Sequence, residues 1–132
     1  MTVFVDASAL VAIVAGEEDR GDLLERLARE EQALWSAMSC WETVSSLCHG
    51  REMTMRVARL EAEQAARDLE LRLVPIGAEE LGIALEAYER YGKGSRHPAR
   101  LNMGDCFAYA CAKTNGANLL YKGNDFIHTD LK

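Results

Sequence analysis

Four acidic side chains occupy positions suited to chemistry: Asp6, Glu42, Asp105 and Asp125. Asp6 directly follows Thr2–Val5, a β-branched and aromatic run that predicts a short buried strand. Asp125 lies just past a second predicted strand, Asn118–Lys122. Glu42 falls in the first turn of a helix expected to open at Ser39, and Asp105 in the first turn of one expected near Asn102. Brought within several ångströms, four carboxylates cannot all stay ionised, because each raises the pKa of its neighbours. A divalent cation removes that conflict. An all-oxygen donor set without His or Cys favours magnesium or manganese over zinc or copper. Such a centre activates water and stabilises charge on a phosphodiester under attack, through one ion or two.

Each acid also has a plain structural reading. Ser39-Cys40-Trp41-Glu42 and Asn102-Met103-Gly104-Asp105 both read as capping boxes, Asp6 is a natural helix cap, and Asn124-Asp125 are common turn residues. Helix N-termini favour negative charge in any case. The combination is what points to a site. Asp6 and Asp125 come from distant segments, yet both sit at strand carboxyl ends, where a parallel sheet carries its ligands.

The elements that must position these acids alternate between strand and helix. Strands are expected at Thr2–Val5, Ala33–Ser36, Leu71–Ile76 and Asn118–Lys122. An apolar helix is expected over Ala7–Ala15, and a charged one over Asp22–Glu31 with Leu23, Leu24 and Leu27 inward. Ser39–Gly50 is read as a helix with Cys40, Val44, Leu47 and Cys48 on one stripe. Thr54–Asp68 carries Val57, Leu60 and Ala65, and Ala78–Tyr91 has Leu81, Ala84, Leu85 and Tyr88 at helical spacing. A small-residue helix spans Asn102–Asn115, and Gly123–Lys132 forms a turn-rich tail. Alternating strands and helices predict an α/β fold, a mostly parallel central sheet covered on both faces. With 132 residues and no repeat or linker, the chain is expected to form a single domain, 1–132.

Composition narrows the class further. Hydrophobic residues make up 48% of the chain, too many for a disordered protein, while the longest apolar run, Ala9–Ala15, is too short to span a bilayer. No signal-peptide pattern opens the chain, so a cytoplasmic protein is expected. The net charge of −6 argues against diffuse electrostatic binding of nucleic acid, but not against a nuclease whose acids gather at a metal. Cys40, Cys48, Cys106 and Cys111 match no zinc or disulfide spacing and read as buried free thiols.

Four segments, in order, resemble the PIN-domain ribonucleases, and most closely the VapC toxins of bacterial type II toxin–antitoxin systems. They are Val5-Asp6-Ala7-Ser8-Ala9-Leu10, Ser39-Cys40-Trp41-Glu42-Thr43-Val44, Leu101-Asn102-Met103-Gly104-Asp105-Cys106-Phe107-Ala108-Tyr109-Ala110 and Leu119-Leu120-Tyr121-Lys122-Gly123-Asn124-Asp125-Phe126. The resemblance implies a three-layer α/β/α sandwich, magnesium-dependent (or manganese-dependent) endoribonuclease activity, and a cognate antitoxin as protein partner. It implies that Asp6 and Asp105 are the firmest metal ligands, that Glu42 completes the site, and that Asp125 acts directly or through a metal-bound water. A homodimer is also implied.

Around this set, Ser8 is placed to orient Asp6 by a hydrogen bond. The acid-free loop Gly92–Leu101 offers Lys93, Arg96 and Arg100 for RNA phosphates, with His97 as an added donor and Arg51 and Arg56 as possible extensions. Asp130 is a further acid that would border the site. Trp35 and Trp41 are read as core or dimer contacts rather than base-stacking platforms. The apolar first helix, with Leu23, Leu24 and Leu27, suggests a dimer surface or a groove for an antitoxin helix as alternatives to plain core. The competing reading is a non-catalytic regulatory module, either receiver-like, with Lys122 near the last strand, or a scaffold that binds RNA or a partner. Against a receiver, Asp6 lacks an acidic neighbour. DNA remains a second candidate substrate, because 2′-OH contacts would have to exclude it.

Overall fold

A computed structural model of the chain describes residues 1–131. Four short strands, β1 (Thr2–Val5), β2 (Gln32–Trp35), β3 (Leu71–Leu73) and β4 (Asn118–Leu120), form one wholly parallel sheet in the order β3-β2-β1-β4. The chain winds outward from β1 to β3, then crosses back to lay β4 on the other side of β1. The direction of winding therefore reverses beside β1, the place where such sheets open a crevice at their carboxyl ends.

Alternation along the strands sorts the core into two layers. Val3, Val5, Ala33, Trp35 and Leu120 pack on one face with Leu10 and Ile13 of α1 (Ala7–Val14), Leu23 and Leu27 of α2 (Arg20–Ala28) and Ala66 of α4 (Met55–Asp68). Phe4, Leu34 and Leu119 point to the opposite face, against α5 (Ala78–Tyr91) and α6 (Met103–Thr114). The result is the α/β/α sandwich expected from the sequence. α3 (Ala37–Gly50) joins α4 through Val44, Leu47, Ala58 and Ala62.

Several expectations change. In α4 the buried stripe is Ala58, Ala62 and Ala66, while Val57 and Leu60 are exposed. Alanines at this spacing let α4 lie close against its neighbours, and larger side chains would hold it off. In α5, Ala84, Ala87 and Tyr91 face inward, whereas Leu81, Leu85 and Tyr88 are exposed. Most apolar residues of α1 are buried, as are Leu23 and Leu27, while Val11, Val14 and Leu24 are half-buried, so much of this apolar surface is core. β3 ends at Leu73 rather than Ile76, and β4 at Leu120 rather than Lys122. Trp35 is a core residue, but Trp41 is 66% exposed, which overturns a core role for it. All four cysteines are free; Cys106 and Cys111 are buried, Cys40 and Cys48 only partly. Among the described residues, no helix is long and apolar enough to cross a membrane.

Candidate active site

β1 delivers Asp6 to the carboxyl rim and stops there, because Asp6 is the N-cap of α1. Its backbone N–H still donates to Leu120 O of β4 (2.9 Å), which pins the residue between the two strands. Its Oδ2 accepts from the Ser8 backbone N–H (3.0 Å) and hydroxyl (2.6 Å), and Oδ1 takes no part in these bonds. The Ser8 hydroxyl in turn accepts from the Lys122 N–H at 3.0 Å. Ser8 thus orients the carboxylate of Asp6 and ties it to the segment beyond β4 that carries Asp125.

Asp105 is the third residue of α6 and closes a capping box. Asn102 Oδ1 accepts from its N–H (2.9 Å), and its own Oδ2 accepts from the Asn102 N–H (3.1 Å). The structural and functional readings of this acid are therefore compatible: one oxygen caps the helix, and Oδ1 is outside the box.

Glu42 differs from expectation. The capping box of α3 is made by Ser36 and Ser39, which bond reciprocally with N···O distances of 3.2 Å, so the helix begins at Ala37. Glu42 consequently stands in the second turn and caps nothing. It accepts no hydrogen bond among the described residues, and its carboxylate lies against Gly104 in the first turn of α6. That contact brings α3 and α6 together at the rim. Asp125 sits in the exposed turn after β4, anchored by Phe126, which is 1% exposed and packs on Tyr121 with ring centroids 5.1 Å apart.

The electrostatics record the crowding. Burial, then the charges of Asp6 and Asp105, push Glu42 up to about 7. Burial also pushes Asp105 up to about 7; the Asn102 N–H opposes this, Asp125 and Asp6 reinforce it, and Lys93 offsets part of it. Asp6 is raised mainly by burial, against the Ser8 hydrogen bonds and with a contribution from Asp125. The four acids therefore act on one another. Among the described residues, no three His, Cys, Asp or Glu side chains are already drawn into a chelating cluster. The donor set is nonetheless all carboxylate oxygen, which fits a hard divalent ion.

The basic loop lies beside this rim. Lys93, Arg96 and Arg100 are exposed, and the charge of Lys93 reaches Asp105. The loop is held by the Ser95 hydroxyl donating to Gly92 O (2.7 Å), by the Ala99 N–H donating to His97 Nδ1 (3.1 Å), and by His97 edge-on to Tyr91 at 4.8 Å. His97 thus organises the loop, with Nδ1 already engaged as an acceptor. Arg51 is bound to Glu17 and does not extend the basic patch; Arg56 is exposed on α4. Asp130 is drawn away from the site, accepting from Tyr109 (2.7 Å) and Lys113 (2.5 Å). The Lys122 ammonium is held by Glu17 at 2.6 Å, with Asp19 at 3.3 Å, and so is not offered to the acids as a receiver-like site requires. Neither the Glu17–Lys122–Arg51 clasp nor the Gly104 contact was read from the sequence; only Ser36-x-x-Ser39 left a recognisable capping signal.

The model of the PIN domain family matches residues 3–132. The chain belongs to the PIN-domain family. It is 38% identical to VapC ribonuclease Mb2780c of Mycobacterium bovis, over 98% of this chain and 97% of that protein. It is 40% identical to VapC ribonuclease R02377 of Rhizobium meliloti, over 97% and 98%. Among solved structures, Mycobacterium tuberculosis VapC20, described as a sarcin-ricin loop cleaving toxin, superimposes with a TM-score of 0.71 at 22% identity. That match covers 98% of this chain and 96% of the other. For this PIN-domain chain the VapC20 likeness speaks to the fold, and the closer sequence relatives place it among the VapC ribonucleases.

Proposed function

We propose that this chain is a VapC-type toxin, a metal-dependent endoribonuclease restrained by a cognate antitoxin. One observation carries the reading. Four carboxylates from four separate segments lie along the rim beside the winding reversal, near enough to influence one another, and Glu42 and Asp105 are pushed up to about 7 by burial and by the other acids. Such an arrangement is unfavourable until a cation neutralises it. Asp6 and Asp105 would hold Mg2+ or Mn2+ through the oxygens outside their capping bonds, with Glu42 completing the set and Asp125 acting directly or through water. The metal supplies Lewis acidity and an activated water for phosphodiester hydrolysis.

The chain's own residues do the rest. Ser8 fixes Asp6, Asn102 fixes Asp105, and Lys93 with Arg96 and Arg100 neutralises phosphates of the RNA as it crosses the rim. Two further proposals belong to the same reading. The protein works in the cytoplasm, and it forms a homodimer through the apolar face on which Leu81, Leu85, Tyr88 and Met103 are exposed along a groove of about 450 Å³. The test is cleavage of total and defined structured RNAs by antitoxin-free protein in Mg2+ or Mn2+, with EDTA, Asp6→Asn and Asp105→Asn as controls. Cleavage lost in all three controls supports the proposal. Wild type and variants equally inert on RNA and single-stranded DNA would refute it and favour a binding module.

A further inference from the structure

Gly104 is the second residue of α6 and is buried, immediately before Asp105. Its φ lies outside the left-handed region, so the backbone does not call for glycine there. Helix propensity disfavours glycine as well. Close approach of a neighbouring group is the usual remaining reason, and here that group is a side chain: the three nearest atoms to a Cβ built at this position are Oε2, Cδ and Oε1 of Glu42, all inside 3.0 Å. The space that an alanine methyl would fill is the space the carboxylate occupies.

We propose that Gly104 is a positioning residue for the metal site. By lacking a side chain it reserves the place beside Asp105 into which α3 projects the Glu42 carboxylate. The inference rests on the nuclease reading of that site and adds a determinant of its geometry. Gly104→Ala is compatible with the helix, and the atoms in its way are the free end of a flexible side chain. The fold therefore survives while the carboxylate gives way by roughly 1 Å or more, a misplacement of the size that costs about 100-fold in rate.

The experiment compares wild type, Gly104→Ala, Glu42→Ala and the double variant. Calorimetric titration measures Mn2+ affinity, thermal unfolding in EDTA measures the fold, and RNA cleavage yields kcat and KM. Gly104→Ala is expected to unfold at or above the wild-type temperature, to bind Mn2+ about tenfold more weakly, and to lose about 100-fold in kcat with KM unchanged. In the Glu42→Ala background the same substitution is expected to change nothing further, since the obstructed group is gone. If Gly104→Ala is instead destabilised, recovery of stability in the double variant still identifies the clash with Glu42. Wild-type Mn2+ affinity and kcat in Gly104→Ala, or equal losses in both backgrounds, overturn the inference while leaving the nuclease reading intact. A wild-type protein that neither binds Mn2+ nor cleaves RNA overturns both.

Discussion

Replacing Asp105 by Asn should make the metal-free protein more stable at pH 8 while destroying its site. Asp105 is 6% exposed and is pushed up to about 7 from an ordinary value of 3.8, first by burial and then by Asp125 and Asp6. A carboxyl held that far up is favourable when protonated and costly when ionised. Its contribution is therefore intact below about pH 4 and lost as the pH rises through 7. At about 1.4 kcal/mol per pKa unit, the loss at pH 8 is roughly 4 kcal/mol. Rotation of the carboxylate toward water takes back part of this, and about 2 kcal/mol is a conservative lower figure. An asparagine carries no such charge, and its amide oxygen can still accept the Asn102 N–H that Asp105 Oδ2 accepts now. For a domain of this size the gain corresponds to a rise in Tm on the order of 5–15 °C. Thermal unfolding in EDTA at pH 4, 6 and 8 checks it: the difference between variant and wild type should be near zero at pH 4 and largest at pH 8. Adding Mn2+ at pH 8 should then stabilise wild type and not the variant. A variant no more stable than wild type at pH 8 would show that these acids do not burden one another as the geometry requires.

Ser8→Ala removes the 2.6 Å hydroxyl bond to Asp6 and the acceptor of the Lys122 N–H. It should lower stability by about 1 kcal/mol and cleavage by about 10- to 100-fold, seen in parallel unfolding and RNA-cleavage assays. Changing Lys93, Arg96 and Arg100 together to Ala should raise KM for RNA and flatten its dependence on salt by about one to three phosphate contacts, leaving kcat nearly intact. A KM series from 50 to 300 mM salt, values on the order of those that resolve such slopes, reads this directly. Leu85 is 59% exposed on α5, so Leu85→Lys should leave the proposed dimer monomeric in light scattering; a variant that keeps the wild-type mass would refute this face as its interface.

Much of this protein was legible along the chain because its signals are local. β-Branched and aromatic residues marked Thr2–Val5 as a strand, and acids directly after it and past the predicted strand Asn118–Lys122 marked a rim. Asp105 read as a capping residue and is one. Glu42 was legible as an acid near a helix start, but the capping box offered as its structural alternative is made by other residues. Two serines compete for the cap, and it falls at Ser36, three residues before Ser39, which frees the carboxylate. Inward faces were the least legible. In α4 and α5 alanine stripes and larger apolar stripes share one period, and only the approach of neighbouring helices decides which is buried.

The sequence by itself determined the fold class, the family and the kind of chemistry, because residue type, periodicity and order along the chain carry these. It also supplied every acid now found at the rim. Tertiary structure decided which charges are free and which are spent. Asp130 is bound by Tyr109 and Lys113, and Lys122 by Glu17, through partners 17 to 105 residues away in the chain. It likewise decided that Gly104 makes room for Glu42, two residues that sequence separates and the packing of α3 on α6 joins. Spacing along a chain cannot carry such information. Long-range pairing is a property of distances in space, and those exist only once the sheet has set the helices side by side.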